Sequence, residues 1–161
     1  MDNLSQEFFE KKQILMDCVD LEVAASLIYK EFMLMFPDEG DFWARLALEE
    51  EDHARLYLAA DILKVTGVFS GIHFPPAVLI KKTLEFTGQI QELIRSRPIN
   101  LKEALDIALK LEKTLAESIV FEFPDSSSPI IANLRKIITD TEAHADRIEK
   151  FKIEKGFAFL D

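Results

Sequence analysis

The chain has 161 residues, 48% hydrophobic and 30% charged, which suits one globular domain with a sizeable core rather than a disordered segment. Its 19 basic and 29 acidic residues leave a net charge of −10, which argues against nucleic acid or an anionic membrane surface as a partner, since both select basic surfaces. The single cysteine, Cys18, excludes an internal disulfide framework and any Cys-x-x-Cys zinc or iron site.

The first residues, MDNLSQEFFEKK, lack the basic-then-apolar order of a signal peptide. No apolar run approaches the ~20 residues of a membrane span, so a cytoplasmic protein without a membrane partner is expected. Only 5 glycines and 6 prolines occur, most of them at joints between stretches of helical periodicity. A first helix, A, is predicted from about Ser5, as N-cap, to Met35, ahead of Pro37. Helix B follows from about Asp41 to about Val65, before Gly67. A connection, TGVFSGIHFPP, leads to a shorter helix from about Ala77 to Arg95. Helix C begins after Asn100, whose spacing to Glu103 matches a capping box, and is predicted to end near Phe123, before Pro124. Ser126 to Pro129 supplies an N-cap and a first-turn proline for helix D, which runs to about Lys155, before Gly156. No segment alternates like a strand. Four long helices, with a long B–C crossover carrying a short fifth, predict an all-α, antiparallel four-helix bundle of ferritin-like topology, as one domain over residues 1–161.

Inward positions of a bundle helix recur at steps of three and four residues. On helix B that seam reads Trp43, Leu46, Glu50, His53, Tyr57, Ala60, Leu63. The neighbouring acids Glu49, Glu51 and Asp52 fall off it and are expected in solvent. Helix A gives Leu15, Cys18, Glu22, Ala25, Tyr29, Phe32, and helix C gives Leu105, Ala108, Glu112, Leu115, Ile119. Helix D gives Ile130, Leu134, Ile137, Thr141, His144, Ile148, Phe151. An ionised carboxylate costs several kcal/mol to bury unless something compensates it. Glu-x-x-His alone is a weak signal in an acid-rich chain, and a lone seam glutamate can snorkel outward or pair with a lysine. Three glutamates and two histidines recurring across four apolar seams point instead to a shared cation. Glu50 and His53, at i and i+3, lie on one face and can reach one ion. Tyr29 and Tyr57 read as core aromatics with hydroxyls tied to the polar centre, Cys18 as a small buried hydrophobe, and His73 as a surface residue.

Helices A and C also align with each other. LEVAASLIYKEF (Leu21 to Phe32) parallels LEKTLAESIVFEF (Leu111 to Phe123), pairing Glu22 with Glu112. His53 lies 31 residues after Glu22, and His144 lies 32 after Glu112, so the chain reads as a duplicated helical hairpin.

From about Gln13 to Ile153 this pattern resembles the rubrerythrin-like branch of the ferritin-like superfamily. The resemblance implies a four-helix bundle with a di-iron or di-manganese centre, one glutamate from each of two helices and Glu-x-x-His from each of the other two. Carried over, the metal ligands are Glu22, Glu50, His53, Glu112 and His144. The second Glu-x-x-His has Thr141 in place of its acid, and Asp140, one turn before His144, is the stand-in expected on that side. The further glutamate that rubrerythrins carry one turn after the helix C ligand is replaced by Leu115, and no rubredoxin module is present. A lopsided site is expected, with Glu22, Glu50 and His53 on the better-furnished side and Glu112 with His144 on the other. The expected cofactor is Fe, di-iron or mononuclear, with Mn or Zn as alternatives. Two functions stay open. One is a di-metal oxidoreductase that reduces peroxide or oxidises ferrous iron, with electrons from a separate donor. The other is a non-enzymatic bundle retaining at most one metal for binding, storage or assembly. Apolar surface left on the bundle is compatible with a homodimer.

Overall fold

The structure, a computed structural model, describes residues 3–62 and 71–157, with side chains from 6–60 and 71–157. It is all-helical, with no strand among the described residues. The elements are α1 (Asn3–Met35), a one-turn 3-10 helix (Pro37–Glu39), α2 (Gly40–Ile62), α3 (Ala77–Ser96), α4 (Leu101–Ser118) and α5 (Pro129–Glu154). Helix α1 packs along α2 and against α3 and α4; α5 packs against α4 and α2, and α3 also touches α4. The predicted end of helix B near Val65, the seam position Leu63 and residues 158–161 lie outside the described residues.

Local chemistry accounts for the ends. Ser5 lies inside α1, which begins at Asn3, so it is not the cap. Ahead of α4, Asn100 Oδ1 accepts from the Glu103 amide at 2.9 Å while Glu103 Oε2 accepts from the Asn100 amide at 3.1 Å, a complete capping box. Pro129 opens α5, where its missing N–H leaves no helical bond unmade. At the other end Gly156 takes φ +79°, a left-handed value that suits glycine. There Gly156 N–H donates to the Ile153 carbonyl at 2.9 Å and Phe157 N–H to that of Lys152 at 3.0 Å, closing a Schellman motif.

Helix α4 stops at Ser118, five residues short of the predicted Phe123. Ser118 Oγ sits 2.6 Å from Thr83 Oγ1 of α3, tying the end of α4 to its neighbour. Beyond it Glu122 exchanges backbone hydrogen bonds with His73, at 2.9 and 3.0 Å, so this segment pairs with the crossover instead of coiling. Pro124 disfavours helical backbone at Phe123 as well. His73 itself is exposed, as expected.

The four seams point inward. On α1, Leu15, Cys18, Glu22, Ala25, Tyr29 and Phe32 are all fully buried, and on α2 Trp43, Leu46, Glu50, His53, Tyr57 and Ala60 are buried. The α4 seam through Glu112 and the α5 seam from Ile130 to Ile148 are buried too, with Phe151 half-buried at the end. Hydrophobic burial assembles the helices, and the polar seam positions are carried into the core with it.

Candidate metal centre

Two groups of buried ligand atoms meet inside the fold. One comprises Glu22, Glu50 and His53, the other Glu50, Glu112 and His144, with one ligand atom from each residue lying within 4.8 Å of the others. All five residues that the seams single out converge, from four helices, and none is more than 2% exposed. Buried Glu/His groups of this kind could hold a metal ion.

Glu50 is the shared member. Its Oε2 lies 2.9 Å from His53 Nδ1 and its Oε1 lies 2.9 Å from His144 Nδ1. The two imidazoles stack nearly parallel, with centroids 5.4 Å apart and 20° between planes. The expected lopsidedness in ligand number is therefore absent, because Glu50 faces both histidines and each group has two carboxylates and one imidazole. Glu22 Oε2 stands 3.8 Å from His53 Nδ1, and Glu112 Oε2 stands 3.6 Å from His144 Nδ1. Both are too far for a hydrogen bond. Both oxygens of Glu22 and Oε2 of Glu112 are buried without a hydrogen-bond partner. Oε1 of Glu112 accepts the Tyr29 hydroxyl. Tyr29 is thus tied to the polar centre as expected, whereas the buried Tyr57 hydroxyl has no partner.

Asp140 takes a different place from the one its sequence position suggests. It is not beside the inner nitrogen of His144 but 3.3 Å from the outer nitrogen, Nε2, of His53, and it pairs with Lys136 toward solvent. The counterpart on the other histidine is Glu49, whose Oε2 is 2.8 Å from His144 Nε2, off the N–H axis, and 2.7 Å from Arg147. Glu49, expected in solvent, is instead half-buried. Its signal was present in the sequence: Glu49 stands four residues before His53, as Asp140 stands four before His144. Asp140 thus serves the histidine of the opposite helix, fixing the ring so that Nδ1 faces the centre, whereas His144 Nε2 has the Glu49 charge beside it but no hydrogen-bond partner. Glu51 is also drawn in part out of solvent by Lys30, and Asp52 pairs with Arg55 at the surface. Thr141 is buried, and its hydroxyl donates to the Ile137 carbonyl at 2.9 Å, back along its own helix. Glu142 is exposed.

The proton balance of the cluster follows from burial and proximity. Burial and the Glu50 charge push Glu22 up to about 8 and Glu112 up to about 7. Burial opposes ionisation of Glu50 too, but hydrogen bonds from His144 and His53 outweigh it and hold Glu50 well below the usual carboxylate range. Burial alone would depress the histidines; the carboxylates beside them dominate, and His53 rises to about 10 and His144 to about 11. At neutral pH an ionised Glu50 is held between two imidazolium groups. Glu22 and Glu112, both raised well above the usual carboxylate range, flank them. Protons occupy the places that cations would take.

Neither a protein-family model, nor a curated protein, nor a solved structure matches the chain. No helix among the described residues is long and apolar enough to cross a membrane.

Proposed function

We propose that this chain is a ferritin-like, rubrerythrin-type bundle that binds a pair of divalent cations, iron or manganese, between α1, α2, α4 and α5. The observation that carries the reading is Glu50, shared by two buried ligand groups whose other carboxylates keep orphaned oxygens in the core. Leaving buried carboxylate oxygens without partners is costly unless something else engages them. A donor set of hard oxygens and one imidazole per group suits Fe(II) or Mn(II), and Zn(II) less specifically. In the filled site Glu50 would lie between the ions, Glu22 and His53 would hold one, and Glu112 and His144 the other. Redox-active ions there would supply the electron transfers needed to reduce peroxide or to oxidise ferrous iron. The protein's part is to bring three carboxylates and two imidazoles together among the buried seam residues, such as Leu46, Tyr57 and Ile137, away from bulk water. Tyr29 holds a proton on the Oε1 side of Glu112.

Elemental analysis of protein purified without chelator tests the reading, followed by titration of the stripped chain with Fe(II) and Mn(II). Uptake approaching two ions per chain, with a rise in melting temperature, is expected. No bound ion and no thermal shift with either metal would overturn it. A non-enzymatic, single-metal bundle is the second reading, favoured by the withdrawn hydroxyl of Thr141. Single occupancy without consumption of peroxide or Fe(II) would select it.

A further inference from the structure

A hollow of about 480 Å³ opens where α1 and α3 finish. Its lining is apolar at Met35, Ile94, Pro98 and Ile99 and cationic at Arg95 and Arg97, with no acid. That sign is opposite to the net charge of −10 on the whole chain. Arg97 is held by Glu103 at 2.9 Å, whereas Arg95 has no ion pair or hydrogen bond among the described residues. The dipole of α3 accounts for a cation in its last turn, but not for the apolar hollow beside it. Apolar surface continues past the rim, where Leu34 is 73% exposed. The chain beyond α5 carries matching chemistry. Residues 158–161 read Ala-Phe-Leu-Asp, two large apolar side chains followed by an acid. They set out from the same end of the bundle. Lys155 Nζ lies 2.7 Å from Glu39 Oε1, only four residues past Met35, and Phe157 packs half-buried against the core. Four extended residues span about 13 Å, more than the roughly 10 Å between the axes of packed helices.

We propose that residues 158–161 dock into this hollow of their own chain, with Phe159 and Leu160 against Met35, Ile94 and Ile99, and Asp161 against Arg95. Burial of the two apolar side chains drives the docking. The exposed ion pair adds little energy and fixes which end of the segment meets Arg95. The segment supplies a link that the helices lack, because α5 packs against α4 and α2 but not against α1 or α3. It straps the end of α5 to the ends of those two helices. The inference is independent of the two-cation reading, since about three and a half helical turns separate Met35 from Glu22.

The test is a cross-link in the full-length chain. In a Cys18→Ala background, Met35→Cys combined with Leu160→Cys should form a disulfide within one chain on mild oxidation, identified by peptide mass analysis. Adding Arg95→Asp should lower its rate of formation about threefold or more, and adding Asp161→Arg as well should restore it. Deleting residues 158–161 from the otherwise native chain should lower the melting temperature by about 2–4 °C, and Phe159→Ser should do nearly as much. These last two variants keep Cys18 and decide the matter even if the cysteine pair fails to fold. A disulfide that joins two chains would overturn docking within one chain. So would the absence of any disulfide in a folded variant, or an unchanged melting temperature after the deletion. None of these results touches the metal reading.

Discussion

The hairpin of α1 and α2 and the pair α4 and α5 carry chemistry in the same order, a glutamate on the first helix and a histidine on the second. They part at the position three residues before the histidine, Glu50 in one and Thr141 in the other. Glu50 sends one oxygen to each histidine, while Thr141 returns its hydroxyl to the Ile137 carbonyl of its own helix. Where the repeat read from the sequence leaves two positions for a central acid, 50 and 141, this chain concentrates the role in one. The integrity of both halves therefore hangs on a single carboxylate.

Removing that carboxylate should have the largest effect. In Glu50→Gln two buried imidazolium groups lose their common counter-charge, and breaking such a pair costs about 3–5 kcal/mol. Urea unfolding of the metal-free variant should register that loss, and metal analysis should find neither ion retained. Glu22→Gln touches one group only and should spare the other. A Glu50→Gln variant that still holds two ions would break the comparison, because Glu50 would then not be the shared ligand.

Supplying the missing acid should act in the opposite sense and less strongly. Thr141→Glu adds volume and a charge at a position only 4% exposed, so the metal-free protein should lose about 1–3 kcal/mol. With Fe(II) or Mn(II) present the loss should be recovered, and the affinity for the ion beside His144 and any turnover with peroxide should rise. A variant that binds metal no more tightly and stays destabilised would mean that the α5 side is packed as core.

How much of this was legible in the sequence depends on what each residue answers to. Glu22, Glu50, His53, Glu112 and His144 obey the period of their own helices, so their inward direction can be read without knowing any partner. The end of α4 cannot be read that way. Ile119 to Phe123 continue an apolar pattern compatible with helix, and what uncoils them is the bridge to His73, nearly fifty residues earlier in the chain. The place of Asp140 was hidden for a related reason. Its own helix puts it near His144, but the contact it makes is across the interface with α2. Off-seam Glu49 shows the converse, a residue assigned to solvent by period and drawn inward by Arg147 and His144.

The proton-held state of the cluster leads to an effect of intermediate size on melting. Glu22, Glu112, His53 and His144 all have pKa values raised by folding, to about 8, 7, 10 and 11. A raised group stabilises fully below its unfolded value, near 4.5 for the carboxyls and 6.5 for the imidazoles, and that stabilisation is lost as pH climbs through the folded value. Glu50, lowered by folding, would act the other way only at pH below this window. The metal-free protein should therefore melt several degrees lower at pH 9 than at pH 5.5. Metal should show the reverse trend. Binding displaces protons from both imidazoles and from the raised carboxyls, so the gain in melting temperature from Mn(II) should grow between pH 6 and pH 8. A metal-free melting temperature that rises over the same range would contradict the proton-held arrangement.

The smallest effect is expected from the outer acids, and its direction is the informative part. Asp140 sits on α5 but touches His53, the histidine of the α1–α2 side, and Glu49 sits on α2 but touches His144. Their side chains are 31% and 35% exposed and are held by Lys136 and Arg147, so Asp140→Asn or Glu49→Gln should change stability by less than about 1 kcal/mol. Asp140, however, hydrogen-bonds His53 Nε2 and fixes which way that imidazole presents Nδ1, a kind of partner worth about tenfold in metal affinity at the low end of its range, while Glu49 sets a charge beside the otherwise unpartnered His144 Nε2. The expectation is crossed: Asp140→Asn weakens the Mn(II) step that depends on Glu22, and Glu49→Gln weakens the step that depends on Glu112. Combining each with Glu22→Gln or Glu112→Gln separates the steps, since an outer acid should have no further effect once its own half-site is disabled. If Asp140→Asn instead weakened the Glu112-dependent step, Asp140 would be acting as a ligand beside His144, the role suggested by its position on α5. The crossed pattern would show that the two helix pairs are interlocked through their outer acids as well as through Glu50.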